Sequence, residues 1–259
     1  MLTLVKQKKL YKMKITSILT GILILLISCN SKTTEKENSK IISKETIKEK
    51  ELVKDAGQKT DAVIEIFEDS TKIAQKGSYK IKIIQETIDT TTNVKFELFE
   101  KLKNNWKKVQ SYALHKDASI PLLTEIEDFN NDGYNDFTIH YSTAARGAND
   151  IRKLFIFAKK ENKFIEIKNS DYYSNLSFNK KLNCINSLEV YRGTTTGFFR
   201  IKKDSLVEFA RVDFIDDTVH SYLIKNGKEI KLESKLYDGD NDEMISFINY
   251  KPIEEGYNK

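Results

Sequence analysis

The stretch that decides the fold reads Glu-Asp-Phe-Asn-Asn-Asp-Gly-Tyr-Asn-Asp-Phe and covers residues 127–137. Its polar residues place an oxygen atom at every second position, as a loop that wraps a hard cation requires. The predicted ligands are Asp128, Asn130, Asp132, the backbone carbonyl of Tyr134, and Asp136. Gly133, at the sixth position, permits the sharp turn that such a loop needs. The spacing therefore predicts one Ca²⁺ site with a structural role.

The residues around this loop predict strands rather than the helix pair of an EF-hand. An EF-hand loop closes with glutamate at its twelfth position, and here that position is Ile139. The flanking segments, residues 122–129 and 137–142, are rich in strand-forming residues. We therefore expect a Ca²⁺ loop between two strands. The alternative is a hairpin turn rich in Asn, Asp and Gly that binds no metal.

The first 29 residues have the pattern of an export signal. Five lysines precede or open an apolar run over residues 15–27, which is shorter than the roughly 20 residues of a membrane-spanning helix. The run ends in Leu26-Ile27-Ser28-Cys29, which resembles the lipobox of bacterial lipoproteins. This resemblance implies cleavage before Cys29, lipidation of Cys29, and an anchor in the cell envelope, most simply in the outer membrane. The alternative is an ordinary secretory signal in which Cys29 occurs by chance.

Removing the signal changes what the charge implies. The whole chain has 43 basic and 38 acidic residues, a formal net charge of +5. The first 29 residues hold five lysines and no acid, so the remainder has 38 of each. A nucleic-acid partner is not expected, because phosphate contacts require a clustered positive surface.

The remainder of the chain divides into a tether and one domain. Residues 30–60 contain no aromatic residue and are dense in Lys, Glu, Ser and Thr, which predicts a disordered tether. Residues 61–259 show short alternating apolar runs separated by polar turns, which predicts an all-β domain of repeated antiparallel hairpins. The predicted turns are Asn104-Asn105, Glu161-Asn162, Asp204-Ser205 and Asn226-Gly227. Such repetition predicts a meander, a small β-propeller or an irregular barrel.

The Asp-x-Asn-x-Asp-Gly-x-x-Asp loop resembles the calcium loops of FG-GAP and related propeller repeats. Further segments, within residues 123–213, resemble envelope lipoproteins related to a periplasmic lysozyme-inhibitor-like β-propeller family. They are Ala145-Arg146-Gly147-Ala148-Asn149, Leu154-Phe155-Ile156-Phe157, Asn175-Leu176-Ser177-Phe178-Asn179, Tyr191-Arg192-Gly193, and residues 182–185 and 198–201. The resemblance implies an all-β fold, one structural Ca²⁺ and inhibition of peptidoglycan-cleaving enzymes.

No pattern in the chain points to catalysis. With Cys29 lipidated, Cys184 has no disulfide partner, and it is expected to be a small buried side chain. The three histidines have no zinc-ligand spacing, and His140 is expected to have a non-catalytic place on a strand. A hydrolase would need catalytic residues brought together from distant positions. A second acidic cluster comprises Asp238, Asp240, Asp242 and Glu243, and predicts a solvated turn, with a second ion site as the alternative.

Two loops are the predicted partner-binding sites. They contain Arg146 and Asn149 in one case, and Arg192 and Thr194 in the other. The chain has only five arginines against 38 lysines, and the planar guanidinium suits recognition of carboxylates. We expect a non-enzymatic domain that binds a protein, such as a lysozyme-like peptidoglycan hydrolase. The alternative is a glycan-binding module or an outer-membrane assembly module.

Overall fold

The structure is a computed structural model that describes residues 62–116, 120–237 and 244–252. These residues belong to one compact unit, Lys44–Lys259. They form fourteen strands: β1 (Val63–Asp69), β2 (Tyr79–Ile88), β3 (Thr91–Leu102), β4 (Asn105–Lys116), β5 (Thr124–Glu127), β6 (Asp136–Ala144), β7 (Asn149–Ala158), β8 (Lys163–Ile167), β9 (Ser177–Asn179), β10 (Cys184–Val190), β11 (Thr194–Lys202), β12 (Ser205–Ile215), β13 (Thr218–Lys225) and β14 (Lys228–Leu236). Two short 3-10 turns, Ala145–Gly147 and Ser170–Tyr172, interrupt them.

The strands form three antiparallel sheets, and each sheet is a continuous meander. The first sheet contains β1 to β4, the second contains β5 to β8, and the third contains β9 to β14. In every sheet, strands that follow each other along the chain are hydrogen-bonded neighbours. Each connection is therefore a hairpin or a short loop.

The predicted all-β fold and the repeated hairpins are confirmed. All four predicted turns lie in hairpin connections, with strand ends that differ from the expected ones by a residue or two. The described strands close into no barrel, because each of the three sheets keeps two edge strands. The barrel-like alternative is thus not the form of the described residues, and the propeller-like arrangement remains a prediction.

Alternation along the strands sorts residues between core and solvent. In β3, Val94, Phe96 and Leu98 are buried, whereas Asn93 and Lys95, which alternate with them, are exposed. Successive side chains of a strand point to opposite faces of the sheet, so this alternation buries one face of the first sheet.

The second sheet is buried on both faces, and this places it in the middle of the stack. Phe155 and Phe157 pack into a core with residues of the first sheet, such as Phe96. Leu154 and Ile156, on the opposite face of the same strand β7, pack into a second core with residues of the third sheet. An uninterrupted apolar run such as 154–157 is what a strand buried on both faces requires.

A third core lies on the far face of the third sheet. There Phe198, Val212 and Phe214 pack with Phe247, which follows the strands in the segment 244–252. Tyr250 of the same segment packs against Phe198, with ring centroids 6.1 Å apart. This segment therefore covers the outer face of the third sheet.

Phe96 is the centre of the first core, and its removal should be costly. Its ring lies 5.2 Å from the rings of Phe137 and Phe155 and 5.4 Å from that of Tyr112. We expect Phe96→Ala to lower the free energy of unfolding by about 3–5 kcal/mol, because it removes buried area and leaves a cavity. Urea unfolding of the segment Lys44–Lys259 measures this loss.

Phe99→Ala is the matched control, because Phe99 lies on the same strand and faces away from this core. Phe99→Ala should lower the free energy of unfolding clearly less than Phe96→Ala does. Equal losses at both positions would contradict the assignment of the buried face.

Candidate metal loop and partner surface

The predicted metal loop joins β5 to β6, two paired strands of the second sheet. Asn131 and Gly133 take the left-handed backbone conformation, with φ of 58° and 86°. A Cβ at position 133 would meet no atom within 4 Å, so glycine serves the backbone angle here rather than close packing. The strand–loop–strand arrangement is the one expected from the flanking residues.

The side chains of the first three predicted ligands turn toward the loop's own backbone. The two carboxylate oxygens of Asp128 accept hydrogen bonds from the N–H groups of Asp132 (3.1 Å) and Gly133 (2.8 Å). The Asn130 side-chain oxygen also accepts from the Asp132 N–H, at 3.1 Å. Asp132 accepts from the Tyr134 N–H at 2.9 Å. These bonds hold the loop in a tight ring.

Asp136, the last predicted ligand, is completely buried. Its Oδ2 accepts a hydrogen bond from the Phe129 N–H and its Oδ1 accepts one from the Phe157 N–H, both at 2.8 Å. Burial raises the pKa of this carboxyl group to about 8, against the opposing effect of the two N–H donors. The nearby carboxylates of Asp132 and Asp128 raise this pKa further. A cation beside Asp136 would reverse that repulsion.

The donor set suits a hard cation, since every predicted ligand offers oxygen. Within residues 62–116, 120–237 and 244–252, however, no group of three or more His, Cys, Asp or Glu side chains is arranged to hold a metal ion. The loop carboxylates accept backbone N–H groups instead. The Ca²⁺ site remains a prediction.

The loop is held between two hydrophobic cores. Phe129 is buried in the second core, whereas Tyr134 packs on the first core with its ring 5.5 Å from that of Phe157. Asn135 forms a two-bond bridge to Ala74, which precedes β2 of the first sheet. The conformation of this loop thus affects how all three sheets fit together.

The two predicted partner-binding arginines are exposed. Arg146 lies in the 3-10 turn between β6 and β7, and Arg192 lies in the turn between β10 and β11. Both have left-handed backbone conformations, with φ of 56° and 50°. Because β6 begins at the metal loop and ends before Arg146, the Arg146 loop and the metal loop lie at opposite ends of that strand.

The other two predicted partner-binding residues, Asn149 and Thr194, are buried. The Asn149 amide pairs with the backbone of Val190, accepting from its N–H at 2.9 Å and donating to its carbonyl at 3.3 Å. The Thr194 hydroxyl donates to the carbonyl of Ile245 at 2.7 Å. Both side chains have structural hydrogen bonds, and their contact with a partner remains a prediction.

These bonds bring the two arginine loops together. Asn149 links the start of β7 to the end of β10, and Asn175 strengthens the same junction. The Asn175 amide donates to the carbonyls of Ala148 (2.8 Å) and Leu188 (2.9 Å), and its oxygen accepts from the Asp150 N–H (3.2 Å). Two loops that are more than forty residues apart in sequence therefore share one end of the stack.

Sequence reasoning missed the two most exposed tyrosines of the described residues. Tyr191 precedes Arg192 and is 74% exposed, and the Arg192 guanidinium carbon lies 5.8 Å from its ring. Tyr172 lies in the other 3-10 turn and is 79% exposed. Each of these tyrosines lies beside an Asp or Arg residue in a segment that lacks strand alternation. That pattern is the sequence signal that could have identified them.

Two clusters of polar side chains have the composition of catalytic sites. In the first, the Tyr112 hydroxyl donates to Glu166, and the Lys153 ammonium lies 3.2 Å from Glu166 and 2.9 Å from Asp171. Burial and the neighbouring Glu166 raise the pKa of Tyr112 to about 12, so this phenol stays protonated.

The second cluster contains His140. Its Nε2 lies 2.9 Å from the Thr143 hydroxyl and 3.3 Å from Asp150, which also binds Arg152. In a nucleophile–histidine–aspartate triad the hydroxyl and the carboxylate contact opposite ring nitrogens, whereas here both contact Nε2. Nδ1 is buried and has no hydrogen-bond partner. Burial lowers the pKa of His140, and the side chain lies on strand β6, as the sequence predicts. Its non-catalytic role remains a prediction.

A third buried polar group lies on the inner face of the first sheet. The Lys116 ammonium is fully buried and donates to the Gln85 side-chain oxygen at 2.6 Å. The Gln85 amide donates in turn to Glu65 at 2.8 Å. Burial lowers the pKa of Lys116 to about 8.

Several predictions concern residues outside the described ranges. They are the signal and Cys29, the tether 30–60, and the acidic cluster of Asp238, Asp240, Asp242 and Glu243. Among the residues that are described, no helix has the length and apolar character needed to cross a membrane.

Cys184 is buried in the third core, as the sequence predicts, and burial raises the pKa of its thiol to about 11. At pH 8 only about one such thiol in a thousand is ionised, so we expect very slow reaction with Ellman's reagent in the folded segment Lys44–Lys259. Urea should release full reactivity. Ser111→Cys, which adds a thiol at an exposed position, should react at once, and an equally fast reaction of Cys184 would contradict its burial.

The chain matches no protein-family model and no curated protein sequence. It is similar in structure to a Xanthomonas type IV secretion system related protein, with 12% sequence identity and a TM-score of 0.42. The alignment covers 64% of this chain and 93% of the Xanthomonas protein.

Proposed function

We propose that this chain is a non-enzymatic, Ca²⁺-stabilised protein-binding domain of a bacterial envelope lipoprotein. The observation that supports binding most directly is the junction of the two arginine loops. Hydrogen bonds from Asn149 and Asn175 hold these loops at one end of the stack, while Arg146 and Arg192 stay exposed. A loop backbone that is already fixed loses little further conformational entropy on binding.

The exposed residues at this end are of the types that dominate protein interfaces. Tyr and Arg are enriched among the residues that carry most of the binding energy. Gly193 keeps the Arg192 loop in place, since its φ is 126° and a Cβ there would lie 2.2 Å from the Phe214 carbonyl oxygen. Only glycine fits that position, so the observed conformation of the Arg192 loop depends on Gly193.

The partner we propose is a protein that presents carboxylates. The planar guanidinium binds carboxylates through paired hydrogen bonds, and the active site of a lysozyme-like peptidoglycan hydrolase offers such carboxylates. The resemblance to a lysozyme-inhibitor-like family favours this class. Lipidation at Cys29 would retain the domain in the envelope, where such hydrolases act.

The proposed Ca²⁺ ion has a structural role. Asp128, Asn130, Asp132, the Tyr134 carbonyl and Asp136 would hold it, and the ion would neutralise three neighbouring carboxylates. Each close pair of carboxylates repels by about 1 kcal/mol in water and by about 4 kcal/mol at an effective dielectric constant of about 20. Because the loop contacts two cores, relief of this repulsion would stabilise the whole domain.

Thermal melting in Ca²⁺ and in EDTA tests the proposed metal site. At about one hundred times the dissociation constant, Ca²⁺ should add about 2.7 kcal/mol of stability. For a domain of this size that is a rise in melting temperature of roughly 5–10 °C. Asp132→Ala should abolish the response. Glu161→Ala, in a neighbouring turn, should keep it.

An identical melting temperature of the parent segment in Ca²⁺ and in EDTA would remove the metal from the proposal. A response that survives in Asp132→Ala would place the ion elsewhere.

Paired arginine substitutions test the binding surface. Arg146→Ala with Arg192→Ala should weaken binding to a purified lysozyme-like hydrolase by at least about thirty-fold, since interface arginines often contribute about 2 kcal/mol or more. Arg200→Ala is the control, because this exposed arginine lies on β11 toward the opposite end of the third sheet. Binding and hydrolase inhibition should both be measured.

Unchanged affinity in the double variant would contradict the proposed surface. A fall of several degrees in its melting temperature, with affinity intact, would show that the arginines are structural.

A further inference from the structure

The tip of the β3–β4 hairpin has a composition found nowhere else in the described residues. Residues 101–108 read Lys-Leu-Lys-Asn-Asn-Trp-Lys-Lys, and all eight are exposed. Leu102 is 46% exposed and Trp106 is 37% exposed. No acidic residue occurs in these eight positions. We call this segment the lysine–tryptophan tip.

The lysines around the tip lie near aromatic rings, and most of them have no carboxylate partner among the described residues. The Lys80 ammonium, from β2, lies 4.9 Å from the Phe99 ring and 5.8 Å from the Trp106 ring. Lys101 also lies 5.8 Å from the Trp106 ring. Lys108 forms an ion pair with Glu97 at 3.0 Å. Among the described residues, no ion pair forms with Lys80, Lys101, Lys103 or Lys107.

The acid that precedes the tip on β3 is engaged elsewhere. Glu100 accepts a hydrogen bond from the Asn162 amide at 3.0 Å, and the Asn162 oxygen accepts one from the Tyr79 hydroxyl at 2.6 Å. These bonds bring the β7–β8 turn against the same end of the first sheet. That turn adds two exposed lysines, Lys159 and Lys160.

We propose that the lysine–tryptophan tip docks on an anionic phospholipid surface. Tryptophan favours the boundary between headgroups and hydrocarbon, because its ring is apolar while its N–H group hydrogen-bonds. Leu102 would enter beside Trp106. The four free lysines would contact lipid phosphates, and each lysine near such a surface contributes about fivefold in affinity.

Two features favour a lipid surface over an acidic protein. The tip projects from the end of a sheet with its apolar and cationic residues intermixed, as in surfaces that enter headgroups. All its cations are lysines, whose flexible stems and compact charges adapt to a fluid array of phosphates. Arginine, which suits directional binding of carboxylates, occurs instead in the loops between β6 and β7 and between β10 and β11.

An anchor at Cys29 is compatible with this contact but is not needed for it. β1 begins at the opposite end of the first sheet from the tip, and the twelve residues of β3 span about 40 Å. The 33 residues between Cys29 and Val63 can span at most about 110 Å. The tip can therefore reach a membrane to which Cys29 is attached.

Trp106 is the chain's single tryptophan, so its fluorescence reports on the tip alone. We would titrate the segment Lys44–Lys259, which lacks Cys29, with phosphatidylglycerol–phosphatidylcholine vesicles and with pure phosphatidylcholine vesicles. The anionic vesicles should shift the emission to the blue, and 0.5 M NaCl should reverse the shift by screening. Brominated phosphatidylcholine, mixed into the anionic vesicles, should quench the emission.

Charge reversal provides matched variants. Lys103→Glu with Lys107→Glu should weaken vesicle binding by at least about thirty-fold, or about 2 kcal/mol. Lys225→Glu with Lys228→Glu makes the same charge change at an exposed hairpin tip of the third sheet that lacks an aromatic residue, and should bind as the parent does.

Three results would overturn the proposal. They are an unchanged Trp106 emission with anionic vesicles, equal binding to phosphatidylcholine alone, and an equal loss of affinity in both charge-reversal variants. Binding to a soluble acidic protein without binding to vesicles would assign the tip to a protein partner instead. None of these results depends on the proposed Ca²⁺ site, on Cys29 or on the arginine loops.

Discussion

The buried carboxylate of Asp136 is the constraint on which much of the architecture depends. It accepts the N–H group of Phe129, whose ring fills the second core, and that of Phe157, whose ring fills the first. One side chain thus fixes the metal loop to β7 and orients a residue of each core. An unpaired buried carboxylate would be very costly, so its two N–H donors reduce a penalty that the fold cannot avoid.

Buried polar groups also form hydrogen-bonded chains within the first sheet and at its junction with the second sheet. Lys116, Gln85 and Glu65 form one hydrogen-bonded chain on the buried face of the first sheet, and Tyr112, Glu166 and Lys153 form another between the first and second sheets. Apolar faces alone would allow stacked sheets to slide or rotate with little change in energy. Buried polar groups remove that freedom, because any misalignment leaves a donor or an acceptor unsatisfied.

The sequence predicted the features that arise from local periodicity. Alternation such as that of Val94 to Leu98 indicates a strand with one buried face, and Asn226-Gly227 indicates a two-residue hairpin turn. The sequence could not predict how many sheets form, because a hairpin has the same sequence pattern whether or not its second strand pairs with the next strand along the chain. Asn149 and Thr194 show what the sequence could not predict about individual site residues, namely their burial and their hydrogen-bond partners. Both lie next to polar loops in the sequence, yet their partners, Val190 and Ile245, are 41 and 51 residues away. Exposure of the nearby Arg146 and Arg192 likewise depends on contacts that no local pattern contains.

The segment 244–252 has a consequence for the order of events during synthesis. The strands of the first two sheets are complete once residue 167 has left the ribosome, so their shared core can form early. The outer face of the third sheet, with Phe198 and Val212, is covered only when Phe247 and Tyr250 follow. Until then a broad apolar surface is open to solvent and to other chains. A ribosome that stalls before residue 247 would therefore release a chain in which the first two sheets are formed and the third sheet exposes an apolar face. Such a chain is a substrate for chaperones and proteases.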